Sequence, residues 1–190
     1  MNKILHIFLI SLFSLTVISC AEKEESTDST ATTTTTTTSS GLYVAVGITG
    51  TILTSADATT WTSRTSGTSN HLYGVTYGNS TYIIVGDNGT ILTSTDATTW
   101  TPRTSGVSNW IDAPIYKNST FMTIGDNGTI LTSTDGTTWT SRTSGTSNDF
   151  LDVTYGNSTF VAVGNSGTIL TSSDGTGWTT RTSGTTKNLW

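Results

Sequence analysis

The stretch GTILTSTDATTW, from Gly89 to Trp100, returns with little change at Gly50 to Trp61, Gly128 to Trp139 and Gly167 to Trp178. The tryptophans Trp61, Trp100, Trp139 and Trp178 are each 39 positions apart, and Arg64, Arg103, Arg142 and Arg181 keep the same period. A period of this length means one supersecondary unit copied along the chain, each copy burying its apolar surface on the next. A residue present in every copy therefore answers to the architecture before it answers to any chemistry.

One unit, Leu72 to Gly106, predicts four short strands: Leu72 to Tyr77, Thr81 to Val85, Thr90 to Ser94 and Thr99 to Thr104. Each is rich in β-branched or aromatic residues and bounded by turn residues, and none has a helical period. Gly78-Asn79-Ser80 and Asp87-Asn88-Gly89 supply residues that tolerate a left-handed backbone, as tight hairpins need. The Tyr-Ile-Ile-Val core of the second strand shows no polar alternation, so it expects cover on both faces. Pro102 lacks a donor and belongs on an edge. The fold class is all-β: a β-propeller of about four 39-residue, four-stranded blades, forming a closed, incomplete or open ring. A flat β-solenoid is the competing architecture, but its coils would be shorter and poorer in paired hairpins.

Residues 42–66 hold only the second to fourth strands of a first blade. Lys187 to Trp190 aligns with Asn70 to Tyr73, so the C-terminus is expected to begin the missing strand and close the ring. An open arc, a truncated gene product, or a larger ring completed by a second chain through self-association are the alternatives.

The start of the chain has a different character. Met1 to Lys3 is basic and Ile4 to Ser19 is apolar, short for a spanning helix and followed at once by Glu22, Glu24 and Glu25, as in an export signal. Val17-Ile18-Ser19-Cys20 resembles the lipobox of bacterial lipoproteins. That resemblance implies three segments: a signal peptide over 1–19, a disordered Thr-rich spacer over 20–40, and propeller repeats over 41–190. It also implies a lipid such as palmitate on Cys20, membrane attachment through that lipid, and a place in the bacterial cell envelope, at its surface or beneath it. Cys20 is the one cysteine, so no intrachain disulfide can form. The ATTTTTTTSS run has too little apolar surface to offset its ordering entropy.

Ser94-Thr95-Asp96 with Trp100, and Ser133-Thr134-Asp135-Gly136 with Trp139, resemble Asp-boxes, or BNR repeats. The likeness extends to the WD40/YVTN/BNR-like propellers of bacterial surface proteins and, more distantly, to photosystem II assembly factors. Three residues separate Asp from Trp here where the family has four, and Gly follows Asp only at Gly136 and Gly175. The resemblance implies a structural role for Asp57, Asp96, Asp135 and Asp174. Each carboxylate would accept from its own turn while Trp61, Trp100, Trp139 and Trp178 pack between blades.

Nine aspartates face six basic residues in 41–190, with no basic stripe, so nucleic acid is not an expected partner. Sialidases carry Asp-boxes and an arginine cluster, but arginines that repeat with the blade stand far apart at the rim. Asp149 and Asp152 lack any partner motif for a glycosidase, and His71 stands alone. No metal set, cofactor loop or catalytic residue is expected, and the chain reads as a binding module rather than an enzyme. The sequons at Asn79, Asn88, Asn118, Asn127 and Asn157 read as turn residues.

The remaining clue is variation between repeats. The turns between second and third strands and the connectors from blade to blade emerge on one face. There the copies differ: His71-Leu72-Tyr73, Trp110-Ile111-Asp112, Asp149-Phe150-Leu151 and Asn188-Leu189-Trp190. The candidate ligand-binding residues are therefore His71, Trp110, Asp87, Asn88, Asp126 and Asn127, for a protein or glycan ligand. The alternatives are an assembly or scaffolding factor for another envelope protein and, more remotely, a degenerate sialidase-like glycosidase.

Overall fold

The computed structural model describes residues 19–21 and 42–190, and the expected signal peptide and spacer lie almost wholly outside the described residues. Four antiparallel four-stranded sheets follow one another, as the period predicts. Blade 1 contains β1 (Ser19–Ala21), β2 (Tyr43–Gly47), β3 (Thr51–Ser55) and β4 (Thr62–Arg64). Blade 2 contains β5 (Leu72–Gly78), β6 (Thr81–Gly86), β7 (Ile91–Ser94) and β8 (Thr101–Arg103). Blade 3 contains β9 (Ile111–Lys117), β10 (Thr120–Gly125), β11 (Ile130–Ser133) and β12 (Thr140–Ser141). Blade 4 contains β13 (Phe150–Gly156), β14 (Thr159–Gly164), β15 (Ile169–Ser172) and β16 (Thr179–Thr180). The fourth strands are shorter than the sequence suggests, and Pro102 does sit on an edge.

Turn chemistry sets the hairpins. Asn79 and Ser80 hold φ of 43° and 57°, and Asn88 and Gly89 hold 54° and 63°. The Thr90 amide donates to the Asp87 carbonyl at 3.0 Å across the second pair, closing a left-handed turn that matches the twist of its strands. Thr49 takes the Asn88 position in blade 1 at φ 55°, where a β-branched residue is strained.

Each sheet has a leading face, turned toward the next blade, and a trailing face. Val44, Val46 and Ile52 of blade 1 share one buried cluster with Tyr82, Ile84, Leu92, Ala97 and Trp100 of blade 2. Ile83, Val85 and Ile91 of blade 2 pack with Phe121 and Leu131 of blade 3, Trp139 lying against them. Met122, Ile124 and Ile130 of blade 3 meet Phe160, Leu170 and Trp178 of blade 4. The cores are therefore interblade layers, which is why β6 is buried residue after residue instead of alternating.

Two expectations are corrected. The inner strand of blade 1 is β1, which pairs with β2 through Ser19 opposite Val46 and Ala21 opposite Val44, and not the C-terminus. The C-terminal segment keeps the local bonds of a connector: Leu189 N–H donates to the Gly164 carbonyl and Ser166 N–H to Asn188 Oδ1, which hold it on blade 4. Trp61 does not lie between blades; it is 38 % exposed, because no blade covers the trailing face of blade 1. Among the described residues, blade 4 makes no packing with blade 1 comparable to the contacts of successive inner strands, so the arc is open.

Candidate functional site

The Asp turns come first because they repeat. Asp96 Oδ1 accepts from the backbone N–H groups of Thr98 and Thr99, at 2.7 and 2.8 Å, and from Ser94 Oγ at 2.9 Å. Asp57 and Asp135 make the same set, and Asp174 accepts from Thr176 and Gly177. Backbone donors aimed at the charged form hold Asp57, Asp96 and Asp135 down to about 2, and Asp174 is depressed too, first by the Thr176 hydroxyl. Saturated by their own turns, these carboxylates are unsuited to acid–base chemistry.

The neighbouring tryptophans differ in one respect. Trp139 Nε1 donates to the Gly136 carbonyl at 3.1 Å and Trp178 Nε1 to Gly175 at 3.3 Å, whereas Trp100 Nε1 is buried without an acceptor. Arg64, Arg103, Arg142 and Arg181 each donate through Nε to a threonine of the adjacent third strand, such as Arg103 to Thr93 Oγ1 at 2.9 Å. They are spread along the outer strands.

The opposite end of the blades carries the connector face. Its backbone is tied down at every blade: Asp87 N–H donates to the His71 carbonyl and Asp126 N–H to the Trp110 carbonyl, while Gly89 N–H reaches Asn109 in the next connector. A second series of bonds uses the side chain that opens each new blade. Thr49 N–H donates to His71 Nδ1 at 3.0 Å, Asn127 N–H to Asp149 Oδ1 at 2.9 Å, and Ser166 N–H to Asn188 Oδ1 at 3.2 Å. The remaining copy has Trp110 in that position, and an indole has no acceptor to offer. Its ring lies edge-on to Tyr73 instead, centroids 5.8 Å apart at 66°.

Of the predicted residues, the structure brings Trp110, Asp87 and Asp126 together around Tyr73, which the sequence reading left out. Burial, the neighbouring Asp87 and the charges of Asp112 and Asp126 push the ionisation of the Tyr73 phenol up to about 12. Burial raises Asp126, reinforced by Asp149 and Asp87. Burial also raises Asp112, against a hydrogen bond from Ala113 N–H and with Asp152 adding to the rise. Every charge that perturbs this group is a carboxylate. The other predicted residues also make bonds within the connector face: His71 Nδ1 accepts from Thr49 N–H, Asn88 Nδ2 donates to Asn70 Oδ1 at 3.2 Å, and Asn127 N–H donates to Asp149 Oδ1. His71 does keep a ring contact with Tyr73, at 6.4 Å.

A bulge shapes the site. The register slips by one residue at Tyr73 in β5, and in β9 it slips next to Pro114. Gly74 lets the two inner strands approach, since a Cβ there would stand 2.2 Å from Pro114 Cδ and 2.8 Å from Asp112 Oδ1. A side chain at position 74 would collide with the Pro114 ring, so glycine is what allows β5 and β9 this spacing. The bulge recurs in β13 between Phe150 and Asp152, but Gly74 and Pro114 each occur in one repeat alone, so the period hid their contact. Among the described residues no three His, Cys, Asp or Glu side chains gather as metal ligands.

No protein-family model matches the sequence, and no curated protein does. Solved structures do. The chain is similar to YCF48 from Cyanidioschyzon merolae at 17 % identity and a TM-score of 0.57, over 74 % of this chain and 53 % of that one. It is similar to a structure of YCF48 bound to D1 peptide at 21 % identity and a TM-score of 0.58, over 74 % of this chain and 50 % of that one. A GH74 enzyme from Niastella koreensis is 23 % identical over 72 % of this chain and 22 % of its own length, with a TM-score of 0.49. The chain spans about half the length of the YCF48 structures. What it shares with them is the fold: four blades of a β-propeller.

Proposed function

We propose that the chain is an exported, lipid-anchored binding module that holds a cationic, extended segment of another protein on its connector face. The observation that carries this reading is the Tyr73–Trp110 pair set among Asp87, Asp112 and Asp126. Aromatic faces and carboxylates together attract guanidinium and ammonium groups, by cation–π attraction and by charge. Among the described residues these half-buried carboxylates have no ion-pair partner, so a basic ligand would relieve their mutual repulsion. That a propeller of the same fold has been seen with a peptide supports a protein ligand over a glycan. The tether rests on the lipobox-like Val17-Ile18-Ser19-Cys20; cleavage before Cys20 would remove Ser19 from β1 and leave Cys20, carrying the lipid, and Ala21 to pair with β2. One acyl chain binds a membrane only marginally, so several on Cys20 would be needed for a stable anchor.

The test is a peptide array comparing arginine- and lysine-containing sequences with neutral and acidic ones of the same length. Binding should favour the basic peptides, weaken with salt, and fall at least about tenfold in Trp110→Ala and in the Asp87→Asn/Asp126→Asn pair. Salt-insensitive binding to neutral glycans, unchanged in those variants, would show that the ligand is a carbohydrate held elsewhere. For the anchor, Cys20→Ala should move the protein from the detergent phase to the aqueous phase, and unchanged partitioning would remove that part of the proposal.

A further inference from the structure

Each junction between blades contains one size-matched pair. Ile83 of blade 2 faces Gly136, where an added Cβ would stand 2.8 Å from Ile83 Cδ1. Met122 of blade 3 faces Gly175 in the same way, with 2.8 Å to Met122 Cε. At the first junction the leading-face residue is Val44, which has no δ carbon, and the opposite residue is Ala97; both are buried, at 0 % and 1 % exposure. Long side chains thus meet glycine, and valine meets alanine.

The two ends of the arc each leave one such face uncovered. On the leading face of blade 4, Val161, Val163 and Ile169 are only half-buried, alternating with buried neighbours, in contrast to the unbroken burial of β6 and β7. These are the residue types of Val44, Val46 and Ile52 at the corresponding positions of blade 1. On the trailing face of blade 1, Tyr43 and Leu53 are half-buried while Ala58 and Trp61 are exposed. They match Tyr82, Leu92, Ala97 and Trp100 of blade 2. The open ends therefore carry the two halves of the junction that blades 1 and 2 already form, with valine again set to meet alanine.

Ala58 adds a separate reason. It holds φ of 58°, a left-handed conformation that disfavours a side chain, as does Ala97 at 55°. In blade 2 the buried methyl offsets that strain; in blade 1 it has nothing to pack on. We infer that a second copy of this chain covers these faces, blade 4 of each copy docking on blade 1 of the other, so that two arcs close head to tail into one ring. Each junction joins two different faces, and the two copies close about a two-fold axis only when both faces of each are used. Tyr82 Oη donates to the Leu42 carbonyl at 3.2 Å across the first junction, and Tyr43 would donate to the Thr159 carbonyl of the second copy.

The experiment is light-scattering mass measurement on the full chain and its variants. Wild type should run as a particle of twice the chain mass. Val163→Asp and Trp61→Asp should each give monomers, and mixing the two should restore a pair, since each retains the face that the other lacks. Val161→Ile should weaken the pair about tenfold by overpacking against Ala58, and adding Ala58→Gly should recover it, following the Ile83–Gly136 pairing. A wild-type monomer, a mass that keeps growing with concentration, or a pair that survives both charged variants would overturn the inference.

Discussion

His71 Nδ1 accepts the backbone N–H of Thr49 at 3.0 Å, so the side chain that opens blade 2 closes the hairpin turn of blade 1. Asp149 and Asn188 do the same for Asn127 and Ser166. The acceptor matters, not the ring. His71→Asp should therefore preserve stability, while His71→Ala should lose about 1 kcal/mol, the ordinary net worth of a hydrogen bond, in urea denaturation. Equal losses in both variants would show that the imidazole contributes by packing.

The tryptophans share a sequence position but not an environment. Trp100 lies in the blade 1–blade 2 cluster at 9 % exposure, and Trp100→Ala should cost about 3–5 kcal/mol by leaving a cavity. Trp61, at 38 % exposure, should cost far less when truncated, provided the measurement is made on monomers. Comparable losses at the two positions would mean that Trp61 is covered in solution.

The Asp turns give stability a dependence on acid. Asp96 is held near 2 against an ordinary 3.8 by the amides of Thr99 and Thr98, so its folded value is depressed. The stabilisation is complete above the ordinary value and is lost as pH falls toward the folded one. Melting temperature should therefore drop between about pH 4 and pH 2, a drop that flattens in the Asp96→Asn/Asp135→Asn variant, which should be less stable at neutral pH. A wild-type curve that stays level across that window would contradict the assignment.

Asp112 has the opposite sign. Burial raises it above the ordinary 3.8, so its contribution favours folding below that value and is lost as pH rises through the folded one. Asp112→Asn should accordingly raise the melting temperature at neutral pH and change little below about pH 4. Since the proposed ligand is held by charge, peptide binding should fall as stability rises, and intact binding would show that Asp112 takes no part in it.

Sequence by itself determined the blade. The 39-residue spacing, the unbroken run of Tyr82 to Val85 and the Asn-Gly pair at Asn88-Gly89 are local or periodic signals, and strands, turns and the self-satisfied Asp96 follow from them without reference to the rest of the chain. The variable connectors also singled out one end of the blades, because a difference between copies is visible in the copies themselves. What only the tertiary structure decided depends on neighbours. Tyr73 became part of the candidate site because a bulge in β5 and the approach of Pro114 to Gly74 set it beside Asp87 and Trp110. His71 became a cap because the turn of the preceding blade lies within reach of its ring. Trp61 came to be exposed although its sequence context matches that of Trp100, since burial belongs to the pair of blades that meet and not to the repeat that carries the residue.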